Sequence, residues 1–264
     1  MRGCDNYCSY CIVPYVRGPE ISRTITDVKE EVQVLVSNGC KEVTLLGQNI
    51  NSYGKGLNGN VTLGDLLSEL NDLDGLDRIR FVTSHPADMS RDLIRTISRL
   101  KKVCEHLHMP AQSGSNQILK RMHRGYTADY YRELIQYARE LIPHITVASD
   151  FIIGFPGETE EDFQETIRLM EDIRFQNCFI FKYSPRTGTK AAELKDDVTD
   201  ETKRARNLQL LKLQKNISLE ENQKMIGKKV QVLVEGASKS DPNKLSGRTR
   251  QNHIVVFNDS HDPI

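Results

Sequence analysis

Three cysteines within the first eleven residues are the side chains whose spacing most clearly indicates chemistry. They follow a Cys-x3-Cys-x2-Cys pattern at Cys4, Cys8 and Cys11. A disulfide framework would instead spread its cysteines through a short secreted chain. Structural zinc requires four ligands, and the nearest histidine, His85, is distant in sequence. Three thiolates suit a 4Fe-4S cluster with one iron left open, and zinc or redox-active thiols are the alternatives.

The remaining cysteines carry no such pattern. They stand singly along the chain, at Cys40, Cys104 and Cys178. Their positions in or beside predicted strands favour small buried hydrophobic residues over ligands.

Longer motifs around and beyond the cysteines resemble a known family. CDNYCSYC at residues 4–11 is similar to the signature CxxxCx(aromatic)C of the radical S-adenosylmethionine superfamily, and the run at residues 2–23 resembles its methylthiotransferase branch. Further similar motifs are LLGQNINSYG at 45–54, SHP at 84–86, HMPAQSGSNQILKRMHRGYT at 108–127, SDFIIGFPGETEEDF at 149–163 and YSPRTGTKA at 183–191. The similarity therefore covers nearly the whole chain.

The resemblance implies a reaction and its partners. S-adenosylmethionine would bind the open iron, and electron transfer would break its sulfonium to give a 5′-deoxyadenosyl radical. The enzyme would add a methylthio group to C2 of N6-isopentenyladenosine next to the tRNA anticodon, where the unactivated C–H requires a radical. The implied partners are the tRNA anticodon stem-loop and a reducing electron donor such as flavodoxin or ferredoxin.

The resemblance also implies a set of cofactor-binding residues. These are Tyr10, Gln48, Asn49, Ser84, Gln112, Ser113, Asp150, Ile152 and Gly154. Asp150, Ile152 and Gly154 match the superfamily's adenine-binding strand. Gln48 and Asn49 stand where the methionine amine is usually contacted, although the common Gly-Gly-Glu form is absent. The alternative for the polar members is turn and helix capping.

Strand-length apolar runs alternate with helical patterns and predict the elements that position these residues. The predicted strands are residues 42–46, 78–83, 103–109, 145–153 and 177–183, and the helices are 26–37 (with Thr26 as N-cap), 63–70, 90–100, 127–141 and 158–172. This alternation predicts an α/β fold, a partial (open) β/α barrel of radical SAM type, with functional residues at the carboxyl ends of the strands. The strand expected before Cys4 is missing from the pattern.

The pattern changes after residue 198. A long polar helix at 199–225 is followed by short strands at 229–235, 244–249 and 252–257, which predict a small all-β module. Its motifs VLVEGASK at 232–239 and LSGRT at 245–249 resemble a TRAM RNA-binding module. Residues 261–264 do not supply its closing strand. The predicted division is 1–198 for the radical SAM core, 199–226 for a linker helix and 227–264 for a truncated TRAM-like module.

Charge is balanced overall but not locally. The chain has 36 basic and 36 acidic residues, which excludes a globally basic nucleic-acid coat. Residues 201–250 nevertheless contain twelve basic and five acidic residues, consistent with either an RNA-facing surface or a solvated helix face. The candidate substrate or RNA contacts are Arg17, Arg23, Lys228, Lys229, Arg248 and Arg250. For Arg17 and Arg23 a surface role is the alternative.

Several further expectations complete the prediction. Family members carry a preceding domain with a second 4Fe-4S cluster, so we expect a fragment that cleaves S-adenosylmethionine slowly but does not complete methylthiolation. No apolar run approaches the roughly 20 residues of a membrane span and no signal pattern is present, which predicts a cytoplasmic protein without a membrane partner. We also expect the chain to be a monomer. The alternatives are a methylthiotransferase for N6-threonylcarbamoyladenosine or a ribosomal protein aspartate, and a non-catalytic RNA-binding iron-sulfur protein. The motif GQNINSY argues against the first two, and the absence of a fourth cysteine ligand argues against the third.

Overall fold

The computed structural model of the chain describes residues 1–258, and parallel strands lie at its centre. Within those residues five strands run parallel: β1 (Glu42–Leu45), β2 (Arg78–Phe81), β3 (His106–His108), β4 (Thr146–Ile153) and β5 (Asn177–Lys182). β1 pairs with β2, while β3, β4 and β5 pair in that order. A parallel bridge between Ile79 and Val103 joins the two groups. The predicted open β/α barrel is confirmed.

Helices connect these strands and cover their outer side. Those described in residues 1–258 are α1 (Val13–Arg17), α2 (Ile25–Ser37), α3 (Leu63–Asn71), α4 (Arg91–Arg99), α5 (Asn116–Arg121), α6 (Ala128–Leu141), α7 (Glu160–Ile173) and α8 (Asp200–Gln223). The N-cap of α2 is Thr24, which accepts from the Asp27 amide, so the prediction of Thr26 is wrong. Helices α1 and α5 were not predicted because five or six residues are too few to show a helical period.

Alternation along β4 separates the core from the functional side of the sheet. Phe151 and Ile153 are fully buried in the main hydrophobic core. Asp150 and Ile152 point to the opposite face, because successive strand residues alternate. That inner face carries the candidate site.

The chain ends in a helix and a small antiparallel sheet. Helix α8 packs along β5, where the Asn207 side chain donates to the Ile180 carbonyl oxygen at 2.9 Å. The strands β6 (Val232–Ala237), β7 (Lys244–Thr249) and β8 (Ile254–Asn258) then form an antiparallel meander. The predicted all-β module is confirmed, whereas the domain boundaries stay a prediction. Residues 261–264, predicted to lack a closing strand, lie outside the described residues.

The turn between β7 and β8 docks against the amino-terminal ends of the barrel strands. Arg80 donates to the Thr249 carbonyl oxygen at 2.7 Å, and the Thr146 hydroxyl donates to the Gln251 carbonyl oxygen at 2.7 Å. The module therefore lies at the end of the barrel opposite the carboxyl ends of the strands. None of the helices described in residues 1–258 is long and apolar enough to cross a membrane.

Candidate functional site

The cysteine loop is anchored over the carboxyl ends of the strands. The Gly3 amide donates to Oε1 of Gln48, just beyond β1, at 2.8 Å. On the other side, the Ser9 hydroxyl donates to the Arg121 carbonyl oxygen at 2.8 Å, at the end of α5. These two anchors hold the loop in place across the barrel mouth.

Gly3 permits the close approach that this loop requires. Its φ is +81°, and a Cβ at this position would lie 1.9 Å from the Pro19 carbonyl oxygen. Only glycine fits this combination of a left-handed backbone and a neighbouring main chain. The turn that presents the cysteines therefore depends on residue 3.

The three cysteines interact electrostatically, although they are not drawn into a coordination sphere. Burial raises the pKa of the Cys4 thiol to about 11, and the neighbouring Cys8 and Cys11 add to the rise. Burial likewise raises the pKa of Cys11. Among residues 1–258 no three metal-ligating side chains are gathered closely enough to hold an ion. The thiol-only donor set fits a thiolate-ligated cluster, whose binding would draw the sulfurs together and displace protons.

Four of the predicted cofactor residues line one cavity beside the cysteine loop. Its volume is about 280 Å³, near the lower end of the roughly 300–1,000 Å³ typical of small-molecule sites. The residues lining it are Tyr10, Gln112, Asp150, Ile152, Phe181, Lys182, Tyr183, Ser184 and Arg186. Both Oε1 of Gln112 and the Tyr183 hydroxyl are buried without a hydrogen-bond partner among the described residues. Such orphaned atoms cost about 1–3 kcal/mol each, so this cavity suits a polar ligand.

The Asp150 carboxylate at this cavity is held in place by a histidine that sequence reasoning missed. Nδ1 of His108 accepts from the Thr83 amide at 3.2 Å, so its Nε2 carries the proton. That Nε2 donates to Oδ1 of Asp150 at 3.1 Å. His108 lies within the quoted motif at residues 108–127, and its position at the end of β3 was the available signal.

A second group of buried polar atoms follows β2. The Ser84 hydroxyl and Nε2 of His85 have no partner within residues 1–258. Burial lowers the pKa of His85 to about 2, and the charges of Arg124 and Lys55 contribute. Because its Nδ1 accepts from the Ala87 amide, the neutral ring presents Nε2–H as an unused donor. Neither Ser84 nor His85 lines the cavity described above, so the predicted cofactor contact of Ser84 stays a prediction.

Four other predicted cofactor residues are occupied by contacts within the protein. Gln48 braces Gly3 as described, and the Asn49 amide donates to Asp88 at 2.7 Å. The Ser113 hydroxyl faces helix α7, and the Gly154 amide donates to the carboxylate that precedes that helix. The structure does not bring these four to the cavity wall, and their cofactor contacts stay a prediction.

The six candidate RNA-binding cations differ in how free they are. Three are exposed and form no ion pair within residues 1–258: Arg17, Lys228 and Lys229. The others pair with carboxylates of the chain: Arg23, Arg248 and Arg250. Arg250 contacts both Glu105 carboxylate oxygens and donates to the Val103 carbonyl oxygen at 2.7 Å. The structure thus gives Arg250 a docking role, and its RNA contact stays untested.

Comparison with known proteins agrees with the architecture and with the motifs. A model of the Radical SAM superfamily matches residues 1–170. A tRNA-2-methylthio-N(6)-dimethylallyladenosine synthase from Carboxydothermus hydrogenoformans is 52% identical over 262 residues, covering 99% of this chain and 60% of the relative. A synthase of the same name from Thermoanaerobacter pseudethanolicus is 54% identical over 255 residues, covering 97% and 54% respectively. The chain therefore spans between 54% and 60% of the length of these two relatives.

Solved structures share the fold at low sequence identity. Coproporphyrinogen III oxidase (HemN) from Escherichia coli, a radical SAM enzyme, has a TM-score of 0.59 at 16% identity, covering 82% of this chain and 51% of that one. Methylornithine synthase (PylB) has a TM-score of 0.53 at 20% identity, covering 80% and 60%. The resemblance drawn from the motifs is confirmed, and the chain belongs to the radical SAM superfamily.

Proposed function

We propose that this chain binds a 4Fe-4S cluster through Cys4, Cys8 and Cys11 and acts with S-adenosylmethionine in the methylthiolation of C2 of N6-dimethylallyladenosine in tRNA. The supporting observation is a thiol-only triad anchored beside a cavity with two unpaired buried polar atoms. When bound, the cluster and S-adenosylmethionine supply a carbon radical able to attack an unactivated C–H bond. Membership of the superfamily supports both cofactors.

The cavity residues suit the adenosine part of S-adenosylmethionine. Ile152 offers an apolar wall and Tyr10 an aromatic one, while Gln112 and Tyr183 offer unpaired polar atoms. Asp150, fixed by its histidine partner, is positioned to accept from hydroxyl groups. Of these polar groups, Asp150 is already held by His108, whereas Gln112 and Tyr183 each keep a polar atom without a partner among the described residues.

The substrate side of the proposal rests on two exposed phenylalanines. Strand register pairs Asp150 with Phe179 and Ile152 with Phe181, which places both rings on the inner face of the barrel. The rings are stacked, with centroids 6.5 Å apart and planes at 14°, and both are more than half exposed. Stacking of a base on an aromatic side chain contributes about 1–3 kcal/mol. An apolar, prenylated adenine suits this face better than a threonylcarbamoylated one with its added carboxylate.

The remaining partners follow from that substrate. Arg17, Lys228 and Lys229 are the free cations proposed to contact phosphates of the tRNA. Arg17 lies beside the cysteine loop, whereas Lys228 and Lys229 lie near the start of β4, at the other end of the barrel. Such contacts would make binding weaken steeply with salt. A flavodoxin- or ferredoxin-like protein would supply the electron, and we place the reaction in the cytoplasm, with the chain as a monomer.

The proposal is tested with the anaerobically reconstituted chain and two anticodon stem-loop RNAs, one carrying N6-dimethylallyladenosine and one N6-threonylcarbamoyladenosine. We expect dithionite-dependent 5′-deoxyadenosine and tighter binding of the first RNA. Phe181→Ala should weaken that binding about 5- to 150-fold, as expected from lost stacking. Leu219→Ala is the matched control, because Leu219 is equally exposed on α8.

Each other outcome identifies an alternative. Tighter binding of the threonylcarbamoyl RNA would favour the related methylthiotransferase. RNA binding without 5′-deoxyadenosine would favour a non-catalytic iron-sulfur RNA-binding protein. Equal loss in the Phe181 and Leu219 variants would remove the inner face from the substrate site.

A further inference from the structure

Beneath the cysteine loop lies a buried arginine that the sequence analysis did not single out. Arg124 is only 5% exposed and follows α5. Its guanidinium donates to Sγ of Cys8 at 3.3 Å and to the Pro110 carbonyl oxygen at 2.9 Å. It also approaches the hydroxyls of Tyr10, at 3.4 Å, and Tyr126, at 3.0 Å.

This guanidinium has no anionic partner in the structure. Among residues 1–258 it forms no ion pair with any carboxylate, and the ionisable groups around it are Tyr10, Tyr126 and Cys8. Burying a cation costs several kcal/mol unless an opposite charge compensates for it. By comparison, two other buried arginines meet carboxylates: Arg206 contacts Glu158 at 2.8 Å and Arg80 contacts Glu42 at 2.9 Å. No carboxylate within residues 1–258 therefore compensates for the charge of Arg124.

The sulfur next to it is the group that can become negative. Cys8 is the central member of the cysteine triad, and thiolates rather than thiols ligate iron. Ligation by three thiolates would place net negative charge beside Arg124, and one-electron reduction would add a further negative charge. A fixed cation at this position would stabilise that charge in a partly buried site.

We propose that Arg124 is the built-in counter-charge of the iron-sulfur site, holding the Cys8 side of the cluster and favouring its reduced state. The inference rests on the proposed cluster ligation by the triad. Arg124 acts through Cys8, so it is a positioning residue for the cofactor. Before iron is bound, the uncompensated charge of Arg124 should lower the stability of the folded chain. After iron is bound, the same charge should stabilise the reduced cluster.

The surroundings of Arg124 tolerate an apolar replacement. The Tyr126 hydroxyl carries one proton, which it donates mainly to the Ala111 carbonyl oxygen at 2.8 Å, with the Pro110 carbonyl oxygen also within reach at 3.3 Å. Removing the guanidinium therefore leaves Pro110 with this longer, shared contact in place of the 2.9 Å bond from Arg124. Arg124→Met replaces a cation that has no carboxylate partner within residues 1–258 with an apolar chain of similar length. Replacing a buried charge by a hydrophobic residue is often neutral or stabilising.

The test compares the full chain before and after anaerobic reconstitution with iron and sulfide. Before iron is added, the thermal midpoint of Arg124→Met should equal or exceed that of the wild type. After reconstitution, electron paramagnetic resonance during a redox titration should show a more negative cluster potential. We expect at least a tenfold lower ratio of reduced to oxidised cluster at a fixed potential, a shift of about 59 mV for one electron. Arg124→Lys keeps the charge and should stay closer to the wild type.

Arg121→Met is the matched control, because Arg121 lies three residues before Arg124, at the end of α5, is exposed and forms no ion pair within residues 1–258. It should change neither the midpoint nor the potential. A lower midpoint of Arg124→Met before iron is added would assign Arg124 a purely structural role and overturn the proposal. An unchanged potential in a variant that holds its full iron complement would also overturn it. A wild-type chain that takes up no iron would instead refute the proposed function, and the counter-charge with it.

Discussion

Replacing His85 with asparagine should flatten the dependence of stability on pH. Burial holds the pKa of His85 at about 2, against 6.5 for an unperturbed histidine, and its side chain is only 8% exposed. The folded chain therefore keeps this ring neutral while the unfolded chain protonates it below pH 6.5. Stability from the neutral ring is complete above that pH and is lost progressively as the pH falls.

The size of the effect follows from the shift. Each pH unit below 6.5 costs about 1.4 kcal/mol, so lowering the pH from 7.5 to about 5 should remove about 2 kcal/mol through His85. His85→Asn keeps an oxygen that can accept from the Ala87 amide, as Nδ1 does now, but cannot titrate. Its free energy of unfolding should thus fall by about 2 kcal/mol less than that of the wild type over the same range.

Urea unfolding of the full chain at both pH values, before iron is bound, measures the difference. His144→Asn is the matched control, since His144 is exposed at the surface. That variant should lose as much stability as the wild type. Equal losses in His85→Asn and in the wild type would refute the reasoning, because His85 would then titrate normally and could not serve as a fixed neutral donor.

Three further predictions concern stability and the domain interface. Burial raises the pKa of Glu158 to about 6, so the chain loses about 2 kcal/mol as the pH rises through 4.5–6; unfolding curves of Glu158→Gln should lack this loss. Gly114→Ala places a Cβ 2.3 Å from the Glu165 carbonyl oxygen of α7 and should lower the free energy of unfolding by about 1–3 kcal/mol. The control is Gly64→Ala in α3, where the new Cβ would lie no closer than 3.4 Å to any neighbouring atom and the change should be neutral or stabilising. Arg250→Met removes the ion-pair partner of Glu105 and leaves it only the hydrogen bond from Gln251, so limited proteolysis between α8 and β6 should accelerate several-fold. An unchanged cleavage rate would exclude this docking contact.

The barrel was predictable because its signals are local. Buried strands leave continuous apolar runs, and each of the longer helices shows its period, so the order of these elements follows from the sequence alone. The boundaries were less certain, as at α2, where Thr24 and Thr26 both fit an N-cap and only backbone geometry separates them. The two shortest helices carry too little pattern to be found.

The site was predicted unevenly for a physical reason. Motifs identified Asp150 and Gln112, which reach the cavity. They did not reveal what holds those groups, because His108 is 42 residues from Asp150 in sequence. Similarly, a count of charges cannot tell that Arg250 finds Glu105, 145 residues away. Whether a basic side chain is free to bind RNA depends on which carboxylates the fold places beside it.

The central claim is that Cys4, Cys8 and Cys11 hold one 4Fe-4S cluster. The most direct measurement is iron and sulfide analysis with Mössbauer spectroscopy of the anaerobically reconstituted chain, beside a Cys8→Ser variant and a Cys40→Ser control. We expect about four irons per chain in the wild type and in the control, and loss of the cluster in Cys8→Ser. Binding of zinc in place of iron, or a full cluster in Cys8→Ser, would contradict the account.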